Sequence, residues 1–197
     1  LLREKFPALK ICILSRGYGG KHKGPVAVDP QRHNSHDVGD EPLMLAQDIP
    51  VVVSRNRKKG AQYIENKGYE VILMDDGFQN PHLHKDISLL VFDIRLGMGN
   101  ANVFPAGPLR QPAQEGLKNA DAVILTGLDD GTNKHPHDFA GKTELTTHIK
   151  IKSEHIDKNE KYLAFCGIAH PFKFEETLKK AGINVIEFIP FPDHHEF

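Results

Sequence analysis

Five short runs rich in Val, Ile and Leu constrain this chain more than any other feature: residues 9–14 (LKICIL), 50–53 (PVVV), 71–74 (VILM), 87–92 (ISLLVF) and 122–126 (AVILT). Each is apolar at consecutive positions rather than alternate ones. Alternation marks a strand with one wet face. A continuous run predicts a strand covered on both faces, as in a parallel sheet flanked by helices. The intervening segments supply those helices: EPLMLAQD (41–48), and RKKGAQYIENKG (57–68), which closes on Gly68 in a C′-like position. Strand, helix, strand in series predicts an α/β fold. A chain of 197 residues with 39% hydrophobic content can bury such a core, in one domain or two small ones.

The pattern changes after Gly127. Residues 128–142 (LDDGTNKHPHDFAGK) gather turn formers and charges and predict a loop, and residues 144–152 (ELTTHIKIK) alternate like an exposed strand. Beyond them come a strand at 162–168, a helix at 173–182 and a strand at 184–191. The expectation is a larger α/β domain over residues 1–145 and a small C-terminal α/β unit over 146–197, with no internal repeat.

Charge and cysteine usage narrow the function. Lys and Arg total 25 against 26 Asp and Glu, a net charge of −1, so no overall basic field calls for nucleic acid and any polyanion must be met locally. Cys12 and Cys166 sit inside apolar runs and read as small buried residues in a reducing, cytoplasmic setting. No apolar run approaches the roughly 20 residues of a spanning helix. Of the 12 histidines, His82/His84 and His135/His137 lie among Pro, Asn and Asp in predicted loops rather than in metal-ligand spacing. The chain opens on LLREKFPALK without methionine and stops at FPDHHEF, and the expectation is a fragment of a longer protein.

Five segments carry candidate chemistry. After the run 71–74 come Asp75, Asp76 and Gly77. Two adjacent carboxylates at the end of a buried strand are either a solvated Asp-Gly turn or a metal or phosphate-metal site, at the end of the strands where open α/β sheets bind ligands. After the first run comes SRGYGGKHKGP, with three glycines in four positions and basic residues Arg16, Lys21 and Lys23. It departs from the Walker A pattern, and is either a solvated turn or a flexible basic loop for an anionic substrate. In VGDEPLML, Asp40 is either a helix N-cap or a general base, with Glu41 and Pro42 in the first helical turn. The segment 97–112 (GMGNANVFPAGPLRQP) is long and punctuated by Gly and Pro, with Asn100 and Arg110 as its polar handles. Arg110 suits a bidentate grip on phosphate. Finally, FPDHHEF places Asp193 beside His194 and His195.

Together these segments resemble the lipid A 4′-kinase (tetraacyldisaccharide 4′-kinase) family. The resemblance is carried by SRGYGGK (15–21), GDEPLMLA (39–46), PVVVSRNR (50–57), DDGFQ (75–79), Gly99-Asn100, PAGPLRQP (105–112) and FPDHH (191–195), in order and over nearly the whole chain. It implies a P-loop NTPase-like parallel sheet, truncated here, with a small second domain. It also implies transfer of the γ-phosphate of ATP to the 4′-hydroxyl of a lipid A disaccharide precursor, with Mg²⁺. Asp75 and Asp76 would serve the metal and, with Gln79, the nucleotide phosphates, with Asp76 on the metal and Asp75 orienting. Asp40 would accept the proton of the sugar hydroxyl, and His194 rather than His195 would orient it across a domain cleft. Arg16, Glu41, Asn100 and Arg110 would contact substrate. The resemblance places the intact protein at the cytoplasmic face of the bacterial inner membrane, peripheral or N-terminally anchored, with the membrane surface and the lipid precursor as partners and no nucleic acid.

Two departures qualify it. Gln111 stands where the family usually has a glutamate, and an amide binds Mg²⁺ far less well than a carboxylate. The family's Walker A loop belongs on a strand and turn ahead of Leu9, in a segment this sequence does not contain, so the chain is expected to be inactive alone. A metal-dependent hydrolase using Asp75, Asp76 and a histidine, or a non-catalytic lipid-precursor-binding module, are the rival expectations.

Overall fold

The run that begins at Leu9 becomes strand β1 (Ile11–Ser15), and all five of its residues are buried. β1 is central: the first sheet runs β2 (Val26–Ala27), β3 (Val51–Val53), β1, β4 (Val71–Met74). β1 pairs parallel with both β3 and β4, placing Ile13 opposite Val51 on one side and Leu73 on the other. β2, which the sequence does not announce, adds an antiparallel edge beside β3. In this computed structural model the described residues are 2–127, 137–149, 156–193 and 195. They fall into two units, Leu1–Ser88 and Leu89–Phe197.

In the first unit, three short helices precede β3 or flank its neighbours: α1 (Leu2–Lys5), α2 (Ser35–Val38) and α3 (Asp40–Leu45). The helix that covers the sheet is α4 (Arg57–Asn66), which starts where Asn56 Oδ1 accepts from the Lys59 amide at 3.0 Å. The bond satisfies one of the amides that a helix start leaves without a partner. α4 ends as expected, with Gly68 at φ 78° just beyond its C-cap Lys67. Its Ile64 packs with Cys12, Leu14 and Val52 in the core. Close approach needs Gly60, because a Cβ there would lie 2.6 Å from Leu14 Cδ1 and 2.7 Å from Ser54 Cβ.

The second unit holds a parallel sheet β5 (Leu89–Asp93), β6 (Ala122–Thr126), β7 (Thr143–Thr146), with α5 (Ala113–Asn119) between the first two strands. Its core gathers Val123, Leu125 and Phe139. A separate parallel pair, β8 (Tyr162–Cys166) and β9 (Val185–Pro190), is joined by α6 (Pro171–Lys180). The alternating segment 144–152 is strand only through Thr146, and its residues 150–152 lie outside the described residues. The expected boundary near residue 145 falls at the end of β7, between the two sheets of this unit. Both units are layered α/β with parallel strands and helices, as the apolar runs predict. No helix among the described residues is long and apolar enough to cross a membrane.

Candidate active site

The C-terminal ends of β1, β3 and β4 converge on one edge of the first sheet. β1 ends in Ser15, 3% exposed, whose hydroxyl donates to Asp75 Oδ2 at 2.9 Å, just past the end of β4. The Asp75 amide donates to the Leu14 carbonyl at 3.1 Å, continuing the ladder one residue beyond the strand. Asp75 is therefore fixed at both its main chain and its carboxylate. Asp76 is exposed and sits at φ 47°, a left-handed position that Asp tolerates better than most residues. Gly77 follows because the turn folds back on β4, where a Cβ would lie 2.5 Å from that of Met74. The Asp-Gly turn and the paired carboxylates are thus one structure.

A residue that the sequence reading did not single out lies beneath the pair. Arg57, the first residue of α4, is 6% exposed. Its Nη1 donates to the Leu14 carbonyl at 2.8 Å and its Nη2 to the Asp75 carbonyl at 2.7 Å. Burial holds the guanidinium pKa below its ordinary value, and the charges of Asp75 and Asp76 offset only part of that effect. The signal that could have found it is an Arg at the N-terminus of a helix, where a cation opposes the dipole and needs another reason to be there.

The glycine-rich segment after β1 packs against the junction of α2 and α3. Lys21 and His22 donate their amides to the carbonyls of His36 and Asp37 at 2.9 and 3.0 Å. Gly39, at φ 93°, comes so close that a Cβ there would stand 2.4 Å from the Tyr18 carbonyl oxygen. This contact brings Asp40 and Glu41 to the loop that follows β1. The N-cap of α3 is Gly39, so Asp40 is not the cap: it opens the helix, exposed, with its Oδ1 accepting from the Glu41 amide at 3.0 Å. Lys21 is tied down, its Nζ 2.5 Å from Asp37 Oδ1. That hydrogen bond, with one from the Asn34 amide, holds the Asp37 carboxyl below the usual range. Arg16 remains exposed next to Ser15, and Gln79 is exposed past the carboxylate turn.

In the second unit, Asn100 holds its own loop together. Its Nδ2 donates to the Ala106 carbonyl at 2.8 Å, and its Oδ1 accepts from the Asn102 amide at 3.1 Å. Arg110 is exposed, while the half-buried Gln111 amide lies over Gly116 of α5, with Nε2 3.0 Å from where a Cβ would be. Another residue the sequence reading missed, Asp93 at the end of β5, accepts from the Arg95 and Leu96 amides and pairs with Lys173 of α6, with Nζ to Oδ2 at 2.5 Å. Burial raises the Asp93 pKa, but Lys173 and the two amides outweigh it and leave the carboxyl below its ordinary value. His194 lies outside the described residues; His195 stacks on Phe191 with ring centroids 4.4 Å apart.

Hard carboxylate oxygens suit a divalent cation such as Mg²⁺, which keeps several waters and takes one or two protein carboxylates together with substrate phosphates. Asp75 and Asp76 fit that demand. Among the described residues no group of three or more His, Cys, Asp and Glu is placed to hold a metal, so an all-protein cage is not what this edge offers.

The family described as LpxK, tetraacyldisaccharide-1-P 4'-kinase, matches residues 2–197. A tetraacyldisaccharide 4'-kinase of Bradyrhizobium diazoefficiens is 47% identical over 189 residues, and one of Rhodopseudomonas palustris (strain HaA2) is 46% identical over 191. Both alignments take in 94% of this chain but 56% of the relative, so the chain spans little more than half the length of these proteins. The crystal structure of "apo" form LpxK from Aquifex aeolicus in complex with ATP superposes with a TM-score of 0.78 at 31% identity, covering 98% of this chain and 65% of that one. A family match over nearly every residue, joined to the same fold at this identity, shows that the chain belongs to the tetraacyldisaccharide-1-P 4'-kinase family.

Proposed function

We propose that this chain supplies the acceptor side and part of the metal side of a kinase. The kinase phosphorylates the 4′-hydroxyl of a tetraacyldisaccharide 1-phosphate lipid A precursor from ATP. The observation that carries the proposal is the arrangement at the edge of the first sheet, where the carboxylate pair at the end of β4 is anchored to Ser15 of β1. The Asp40–Glu41 turn is packed on the loop that follows the same strand. Mg²⁺, when bound, neutralises charge developing on the transferring phosphoryl group.

Each residue then has a task. Asp76, exposed at the turn, ligates the cation, and Asp75, held by Ser15, orients the pair; Gln79 contacts the nucleotide phosphates. Asp40 accepts the proton of the attacking hydroxyl, and its exposure leaves a carboxylate oxygen accessible to a sugar. His194 orients that base, on the strength of the family resemblance alone. Arg16, Glu41 and Arg110 bind the acceptor, and Asn100 acts on it by shaping the loop that carries Arg110. The organisation is a kinase-like part over residues 1–145 and a small unit over 146–197. The working location is the cytoplasmic face of the bacterial inner membrane, where the lipid precursor and the membrane surface are the partners and no nucleic acid takes part.

The test uses this chain completed with the flanking residues of the Bradyrhizobium relative that lie outside the match. ATP consumption that requires the lipid acceptor and yields its 4′-phosphate supports the proposal. ATP hydrolysis at the same rate without acceptor points instead to a metal-dependent hydrolase, and acceptor binding without turnover to a binding module.

A further inference from the structure

The geometry points to Arg57 as the positioning residue of the carboxylate pair: its guanidinium clamps the carbonyls of Leu14 and Asp75, fixes the turn that carries Asp75 and Asp76, and thereby sets the pair's affinity for a divalent cation. The inference rests on the metal role proposed above for the two aspartates. It starts from a cost. A guanidinium that is 6% exposed loses most of its hydration, and two neutral carbonyls, at 2.8 and 2.7 Å, return only part of it. A fold that needed only to satisfy two carbonyls at the end of a sheet would do so with water or a neutral side chain.

What a cation adds at this place is twofold. The fork reaches two neighbouring strands at once, because Leu14 is the penultimate residue of β1 and Asp75 follows β4. Leu14 O receives both the Asp75 amide and Arg57 Nη1, so the strand ladder and the clamp share an anchor and a shift in one moves the other. The positive charge also lies within electrostatic reach of both carboxylates, and so offsets their mutual repulsion while no cation is bound. Lysine cannot replace the fork, since one ammonium on a flexible stem has no planar pair of donors to hold two carbonyls in fixed register. Arg57 touches neither acceptor nor cation in this account and acts through Asp75.

The experiment uses the 197-residue chain, ¹⁵N-labelled, with Mn²⁺ alone as the probe. Paramagnetic broadening of the amides of residues 75–77 reports metal at the pair. Hydrogen exchange of the Asp75 amide, which donates to Leu14 O, reports the clamp. Arg57→Gln is expected to raise the Mn²⁺ midpoint by about tenfold, the low end of what partners of metal ligands contribute, and to speed Asp75 exchange. Arg57→Lys, which keeps the charge, is expected to recover part of the midpoint while exchange stays fast. If Arg57→Gln does not fold, Arg57→Lys alone decides, through a midpoint raised about threefold or more over the parent, the lesser share of the same effect. A folded variant with the parent's midpoint, even one of lower thermal stability, overturns the assignment and makes Arg57 a purely structural residue. Absence of broadening at 75–77 in the parent overturns the metal reading itself, and this assignment with it.

Discussion

The Ser15 hydroxyl donates to Asp75 Oδ2 at 2.9 Å, joining the ends of two parallel strands whose residues lie 60 positions apart in the chain. Ser15 Oγ also accepts from the Gly17 amide at 3.4 Å, so one side chain ties the loop after β1 to the carboxylate after β4. Ser15→Ala removes the bond and leaves Asp75 half-buried with one donor fewer. We expect a loss of about 1–2 kcal/mol, the range for a hydrogen bond to a charged group that retains some solvent. Urea denaturation of parent and variant measures it; an unchanged midpoint means the bond contributes nothing to the fold.

Gly39→Ala tests the packing that brings Asp40 to the site. At φ 93°, with the Tyr18 carbonyl 2.4 Å from the added Cβ, neither the backbone nor the neighbour can absorb the methyl group. The expected cost is about 2 kcal/mol or more, because strain at a positive φ adds to a backbone clash. Thermal unfolding monitored by circular dichroism reads it, and a Tm equal to the parent's contradicts the close approach.

These two sites show what a sequence can and cannot announce. The apolar runs at 9–14, 50–53 and 122–126 mark the strands, and their continuity foretells the burial of β1, β3 and β6. The runs at 71–74 and 87–92 look the same in sequence, yet β4 and β5 lie at the edges of their sheets and leave Leu73 and Val91 37% and 63% exposed. Composition records that a residue is apolar, not whether a neighbour stands beside its strand. In the same way, Asp-Asp-Gly declares a carboxylate turn, while Arg57 escapes notice because its role depends on two carbonyls, which carry no sequence signature. Asn100 was legible as a polar handle but not as the brace of its own loop, since the Ala106 carbonyl it holds is brought near only by the fold.

The Asp93–Lys173 pair predicts a pH dependence of defined sign. Although burial raises it, Lys173 and the Arg95 and Leu96 amides hold the folded Asp93 carboxyl below the usual aspartate range, so the unfolded state binds the proton more readily. The stabilisation is therefore full above the unfolded pKa and is lost as pH falls through the folded one. Lys173→Met should flatten the decline in urea midpoint between roughly pH 5 and pH 2, the window around an ordinary aspartate pKa. Equal slopes for parent and variant contradict the pairing.

Cys12 is fully buried, and burial pushes its thiol up to about 11. Its thiolate is scarce at neutral pH and its sulfur has no access to reagent. Iodoacetamide at pH 8 should leave Cys12 unmodified in the folded chain and alkylate it in 6 M guanidinium, as read by peptide mass spectrometry. Rapid labelling of the folded protein contradicts its place in the core.

Central to the proposed function is that Asp40, at the start of α3, acts as general base beside the carboxylate pair Asp75 and Asp76 at the sheet edge. The most direct measurement is steady-state kinetics of Asp40→Asn in the completed chain, with ATP and the tetraacyldisaccharide acceptor each varied. We predict that kcat falls by about 10²-fold or more, the reach of general base catalysis, while the KM for ATP changes little. A kcat equal to the parent's would contradict the account and leave Asp40 as no more than the first residue of α3.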